Sequence, residues 1–504
     1  MSIPDLAITL NTTRNSKIRK GEVMGQQLNK DSFTPADHVE FRKRLNSQLE
    51  ALRPIINKAG FSSGPASFGA ELELYIINNQ SLPCAKSEYL LRKMDHPLLT
   101  EELNQFNLEI NLSPVAAKGT PFQNMAEELA PIYKQLKHQA SHLGSNIATI
   151  GILPTLNSSH LHRDYITDMP RYRALTNELT SLKGEPFLVD INGEDSLKMT
   201  CDEVTLEGAN TSFQVHLKVP ADRFANLYNA AQLTTPLVLA LSGNSPTFLG
   251  QRLWNETRIA LFKQSIDNRI PGLTKWRQPA RVSFGHGWVR KGAFELFAEN
   301  VALYRPLMPY IFENNPPFAE LCLHHGTVWS WNRAVFDPGK NQHLRIEYRY
   351  LPAGPTTIDM MANAAFAIGL TQALSHETDE LLARLPFQYA EYNFYRAAKH
   401  GLSTNIIWPQ STQHGLRESA VTDVIASLLS KAADGLSELA VDSGEINQLM
   451  TVIEKRLSTR QTGSQWQLKR LAQYNTKYNK ETSIQYMLRD YLDNSENGTE
   501  VASW

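Results

Sequence analysis

Four segments of this chain alternate apolar and charged residues with a period of two, and that alternation restricts the fold more than any other feature. In a strand successive side chains point to opposite faces, so position parity sorts each segment into two sides. In Ser67–Ile77 the apolar side is Phe68, Leu72, Leu74 and Ile76, opposed by Glu71, Glu73 and Tyr75. In Phe106–Leu112, Phe106, Leu108, Ile110 and Leu112 oppose Asn107, Glu109 and Asn111. Thr211–Val219 sets Phe213, Val215, Leu217 and Val219 against Gln214, His216 and Lys218. His343–Leu351 sets Leu344, Ile346, Tyr348 and Tyr350 against Arg345, Glu347 and Arg349.

A solvated sheet face is the ordinary explanation for any one of these polar sides. The four together depart from it, because they carry acids at i, i+2, a histidine, and arginines flanking an acid. If the strands share one sheet, Glu71, Glu73, Glu109, Glu347 and His216 converge. Clustered carboxylates repel and raise one another's pKa unless a cation sits among them. Oxygen ligands with one imidazole suit Mg²⁺ or Mn²⁺. Lys218, Arg345 and Arg349 then supply positive charge for an anion such as phosphate. No G-x-x-x-x-G-K-S/T loop occurs, and Gly285-His286-Gly287 lacks a third glycine and a βαβ setting. A nucleotide would therefore be held mostly through metal.

Charge and cysteine usage bound the partners. A net charge of −1 gives no long-range field for a nucleic-acid backbone or an anionic membrane, so neither partner is expected. Cys84, Cys201 and Cys322 are odd in number and lack zinc-ligand spacing, which reads as free thiols in a reducing cytoplasm. The first residues hold no apolar signal segment, and no apolar run approaches the ~20 residues of a membrane span.

At ~150 residues per domain, 504 residues are too many for one small core. Residues 1–30 read as a loose arm, 31–380 as the catalytic unit and 381–504 as a mainly helical region packed on it. The first firm helix starts at Thr34-Pro35-Ala36-Asp37, a cap, a proline at the first helical position and an acid three after the cap. Gly60 ends it. A second starts at Thr120-Pro121 with Gln123 as a capping box, with Pro131 kinking it and Gly144 stopping it. Further helical patterns cover 221–241, 247–268, 357–375 and most of 388–493, with a break around Ser403–Gly415.

The segments carrying this chemistry resemble, in order, those of the glutamate–cysteine ligases of the second type, the carboxylate–amine ligases of the glutamine synthetase superfamily. The matching stretches are FGAELEL (68–74), LEINLSPV (108–115), FQVHLKV (213–219), SGNSPTFLGQRLWNETR (242–258), HGTVWSWNR (325–333), LRIEYRYLPAGPT (344–356), FYRAAKHGL (394–402) and TGSQWQ (462–467). The resemblance implies an α+β fold: a curved, mainly antiparallel sheet of glutamine-synthetase-like catalytic type, with flanking helices and a helical C-terminal region.

It also implies ATP-dependent joining of a carboxylate to an amine through an acyl phosphate, with Mg²⁺ or Mn²⁺ as cofactor and ATP as co-substrate. Carried over residue by residue, Glu73 and Glu109 resemble ligands of one metal, with Glu102 where relatives often hold another acid. Glu71, His216 and Glu347 resemble ligands of the second. Arg349 resembles the arginine that stabilises the transferring phosphoryl, with Glu347 beside it in the catalytic pair. Lys218, Asn244, Arg252 and Arg345 are candidates for contacting ATP or substrate, and Arg258 is a weaker one. For Asn244 a capping turn, and for Arg252 a solvent-facing helix position, are the structural alternatives. The expected partners are small-molecule amino acid and amine substrates, with a homodimer left open, and a place in glutathione biosynthesis follows if the amine is cysteine. A guanidino kinase and a non-catalytic nucleotide-binding relative stay open as alternatives.

Overall fold

The computed structural model describes residues 28–269, 278–409 and 415–504; nearly all of the expected arm 1–30, and part of the break around Ser403–Gly415, lie outside them. All four alternating segments enter one seven-stranded sheet. Its strands are β1 (Ser67–Asn78), β2 (Leu99–Glu101), β3 (Asn107–Ala116), β4 (Ser145–Ala148), β5 (Phe213–Val219), β6 (Asn332–Asp337) and β7 (His343–Tyr348). The order is β6-β7-β5-β1-β3-β2, and every ladder is antiparallel. β1 is long enough to pair β5 through Phe68–Leu72 and β4 through Tyr75–Asn78.

Parity separates two apolar regions. Phe68, Ala70, Leu72, Leu74 and Ile76 of β1 join Leu108, Ile110, Val215, Leu217, Leu344 and Ile346 in the main core. That core also takes the almost wholly buried helices Phe224–Ser242 and Thr357–Leu374. Tyr75 and Ile77, of opposite parity, join a second core with Ala148, Ile150, Trp466 and Tyr491. Phe106 belongs to this second core, stacked on Tyr75 at 6.0 Å between ring centroids, because β3 begins only at Asn107. The sequence had grouped it with Leu108.

The first helix, Pro35–Ile56, carries the expected capping box, with Thr34 Oγ1 accepting from Asp37 N. Pro121–Ser141 is also helical, but Thr120 makes no side-chain cap. The Glu445 carboxylate accepts from Gln123 N at 2.6 Å instead, a cap supplied from 322 residues away. The expected helix over 247–268 is replaced by a hairpin, Thr247–Phe248 with Gln251–Arg252, and a short helix, Arg258–Ser265. Leu249 and Gly250 turn it with φ of 48° and 74°, backbone that ends any helix and that glycine tolerates. Beyond residue 381 come the helices Phe387–His400, Val421–Glu438, Ser443–Thr459, Gly463–Asn475 and Lys480–Glu496, with a hairpin, Asn405–Pro409 with Leu416–Ala420, spanning the expected break. Among the described residues no helix is long and apolar enough to cross a membrane, and the three cysteines are free.

Candidate active site on the polar sheet face

Strand register decides which polar side chains meet. Glu73 of β1 lies opposite Glu109 of β3, and Glu347 of β7 lies opposite His216 of β5. Glu71 stands across from Gln214, while Gly69 stands across from His216. His216 therefore reaches Glu71 on the diagonal, with Nε2 and Oε1 3.0 Å apart. Glu102 follows the end of β2, whose Thr100 pairs with Glu109. Two three-donor groups result: Glu71, His216 and Glu347, and Glu73, Glu102 and Glu109, each offering ligand atoms within 4.8 Å of one another. Adjacent ligands on an octahedral Mg²⁺ at about 2.1 Å lie about 3 Å apart, so each group is within a small closure of such a site.

The two groups differ electrically. In the second, the carboxylates are held by uncharged donors: Ser212 N and Gln214 Nε2 on Glu73, Thr100 Oγ1 and Asn111 Nδ2 on Glu109, Leu103 N on Glu102. Burial, then the charge of Glu102, pushes Glu73 up to about 8. Burial, then the charges of Glu71, Glu102 and Glu73, carries Glu109 well above the carboxylate range, and burial raises Glu102, which shares a hydrogen bond with Glu109. Such a set gains most from a bound hard cation, which would replace the missing countercharge.

In the first group the charges are already compensated. Glu347 is fully buried and takes a fork from Arg333, Nη2 to Oε1 at 3.0 Å, and a bond from Arg349 at 3.3 Å. Burial would raise its pKa, but Arg333, Arg349 and His216 hold it below the carboxylate range. Burial opposes ionisation of Glu71 as well, and His216 overcomes it. Arg345 Nε lies 3.2 Å from His216 Nδ1, and His216 Nε2 faces Glu71. A cation bound at Nε2 would need that nitrogen free of its hydrogen.

Arg349 serves both groups. Its Nη1 donates to Gln214 Oε1 and to Glu347, and Glu347, Glu73, Glu71 and Glu207 together raise its pKa against the desolvation of its burial. Arg345 and Lys218 are register partners farther along the same face; Arg345 stands 3.6 Å from Asp337, and Lys218 Nζ lies 3.5 Å from Ser63 O.

Asn244 and Arg252 do not join this cluster. Asn244 is fully buried, with Nδ2 donating to Ala353 O at 2.7 Å and Tyr491 Oη at 2.8 Å, and Oδ1 accepting from Gln467 Nε2 at 2.8 Å. That commits both ends of its amide inside the protein. Arg252 lies on the 247–252 hairpin, not on a helix, and grips Asp195 with two bonds, Nε at 3.0 Å and Nη2 at 2.9 Å. Arg258 is buried beneath the site, donating to Glu256, to Tyr350 O at 3.2 Å and to Arg349 O at 3.4 Å.

Two participants escaped the sequence reading. Arg333 ends the HGTVWSWNR stretch, and its place opposite Glu347 needs the β6–β7 register, although the alternation of Asn332, Ala334 and Phe336 with Arg333 and Val335 signals a strand. Glu207 sits in the 3₁₀ turn Val204–Ala209, where no periodicity marks it.

The chain is similar to known proteins over most of its length. The model of glutamate–cysteine ligase family 2 matches residues 67–490. A protein of Trichormus variabilis named "Putative glutamate--cysteine ligase 2" is 25% identical over 416 residues, which cover 80% of this chain and 91% of that one. Among solved structures, a glutamate–cysteine ligase of Francisella tularensis in complex with AMP aligns over 86% of this chain and 90% of its own, with a TM-score of 0.52 at 11% identity. At that identity the likeness is one of fold.

Proposed function

The chain belongs to glutamate–cysteine ligase family 2, and from that premise we propose that it is an ATP-dependent carboxylate–amine ligase whose product is a γ-glutamyl-type amide. The observation that carries the reading is the pair of three-donor groups on one sheet face with Arg349 acting on both. Glu73, Glu102 and Glu109 would hold one divalent cation, Mg²⁺ or Mn²⁺, and Glu71, His216 and Glu347 a second; bound there, such cations neutralise polyphosphate charge.

The chain's own residues account for the rest. Arg349 presents a guanidinium fork where charge would develop on a transferring phosphoryl, and Gln214 and Glu347 fix its plane. Arg333 locks the orientation of Glu347. Arg345 and Lys218 extend positive charge along the face for the remainder of an anionic ligand. In the reaction proposed, a substrate carboxylate oxygen attacks the γ-phosphorus and the bond to the β-bridging oxygen breaks, giving an acyl phosphate and ADP. The amine nitrogen then attacks the acyl carbon, loses a proton, and orthophosphate leaves. Cysteine as the amine, and with it a place in glutathione synthesis, is the specific form of this proposal.

Oxygen-18 in the substrate carboxylate tests it. The label is expected in released phosphate, with ADP as the nucleotide product. AMP carrying the label would replace this reading with an adenylating one, and ADP with a stable N-phosphate and an untouched carboxylate would make the protein a guanidino kinase.

A further inference from the structure

Glu207 has no part in either three-donor group, yet the fold brings it to their edge. Three segments converge there. The first, 99–104, carries Glu102. The second, 167–172, is tied to it by Thr167 Oγ1 to Glu102 O at 2.5 Å and by Tyr172 Oη to Glu101 O. The third, 204–212, ends in Ser212, whose N–H donates to Glu73 at 2.7 Å.

The turn holding Glu207 is fixed from all sides. Asn104 Nδ2 donates to Thr205 O at 3.1 Å, Tyr75 Oη donates to Ala209 O at 2.6 Å, and Asn210 Nδ2 donates to Leu206 O and Glu207 O. Gly208 lies so close to the Asn104 amide that a methyl group there would overlap it. Val204, Thr205, Leu206 and Ala209 are buried, whereas Glu207 keeps partial exposure. Its carboxylate forms no hydrogen bond or ion pair with the described residues, and it feels the charges of Glu102, Arg349 and Arg171. A rigid, half-buried carboxylate near Glu102 is costly to ionise, and here burial and Glu102 push it up to about 8 against the charges of Arg349 and Arg171. It lies outside both groups of candidate metal ligands. Its carboxylate, held in place by the turn and half exposed, is open to a cation that arrives with a substrate and donates hydrogen bonds.

We propose that Glu207 receives the primary ammonium group of an amino substrate bound against this wall of the site. The proposal rests on the ligase reading for the identity of that substrate, whose ammonium could belong to the carboxylate donor or to the incoming amine. A carboxylate–ammonium contact of this kind separates an amine from its des-amino analogue by about tenfold or more.

Calorimetric titration of the full chain with Mg²⁺ and a non-hydrolysable ATP analogue tests it, using two probe pairs: L-glutamate with glutarate, and L-cysteine with 3-mercaptopropionate. The wild type is expected to prefer the amino member of one pair about tenfold, and the pair showing the preference names the source of the ammonium. Glu207→Gln should abolish that preference while leaving nucleotide affinity within about twofold. Glu207→Asp, which shortens the reach by one methylene, should weaken it several-fold. No preference in the wild type, or an unchanged preference in either variant, overturns the proposal. A preference that depends on Glu207 in a protein releasing no ADP from ATP with any acid and amine would keep the ammonium site and discard the ligase reading.

Discussion

Glu73 and Arg349 make opposite demands on the same few ångströms. Glu73 is a part-buried carboxylate lacking a bonded counter-cation, so neutralising it relieves repulsion from Glu102. Glu73→Gln should leave the melting temperature of the metal-free protein unchanged or raised. Turnover should fall by roughly 100-fold or more, beyond what outer hydrogen-bond partners of a metal site cost, and the stabilisation added by Mg²⁺ and nucleotide should shrink. An active variant with a collapsed melting temperature would make Glu73 a structural acid. Arg349→Lys keeps the charge but loses the planar guanidinium, whose Nη1 bonds both Gln214 and Glu347. Its loss should fall on kcat, with KM for ATP changed much less. A near-normal kcat would reduce Arg349 to a sheet ion pair.

At the scale of elements, the helices Thr357–Leu374 and Val421–Glu438 pack backbone against backbone. A side chain on Gly369 would strike Ala432 O, and one on Gly435 would strike Gly369 O, so the two backbones touch where neither residue has a Cβ. Gly435→Ala is expected to cost about 2 kcal/mol or more by forcing them apart. Gly287, with open space around its Cα, should accept alanine within about 0.5 kcal/mol. Equal urea midpoints for the two variants would refute this close packing. Neither position was legible in sequence: both glycines sit inside good helical patterns, where glycine is only a propensity penalty until the partner helix is known.

For the whole molecule, Asn244 is a keystone between distant parts of the chain, bonded at once to Ala353, Tyr491 and Gln467. Asn244→Ala should cost about 3 kcal/mol, since three buried partners lose their bonds. If the variant folds, its KM for ATP should be unchanged; a selective rise in that KM would restore Asn244 as a nucleotide contact.

Stability against pH should show two limbs of opposite sign. His324 and His325 are buried and neutral, desolvation lowering them to about 4 and about 3 from 6.5, while the unfolded chain protonates them near 6.5. Their stability is present above pH 6.5 and lost as pH falls through the folded values, at up to about 1.4 kcal/mol per pH unit for each. Glu73, raised from 4.5 to about 8, works the other way: its stability is present below pH 4.5 and lost as pH rises through about 8. In metal-free protein His324→Gln should flatten the acid limb between pH 6.5 and 4, and Glu73→Gln the limb between 4.5 and 8. Parallel stability curves for wild type and variants would contradict both assignments.

Parity alone sorted Glu71, Glu73, Glu109, His216, Glu347 and Arg349 onto one side of their strands, because strand side chains alternate whatever the strand's neighbours are. The ordered motifs added the family. Sequence could not reveal the order β6-β7-β5-β1-β3-β2, which sets Arg333 against Glu347 and lets His216 reach Glu71 over Gly69. Nor could it bring Glu445 to cap a helix 322 residues away, turn 247–252 into a hairpin, or commit Asn244 and Arg252 to partners inside the protein. Periodicity is local and is written along the chain, whereas register, distant caps and the countercharge at a buried carboxylate depend on which segments meet, and those meetings exist only once the chain has packed.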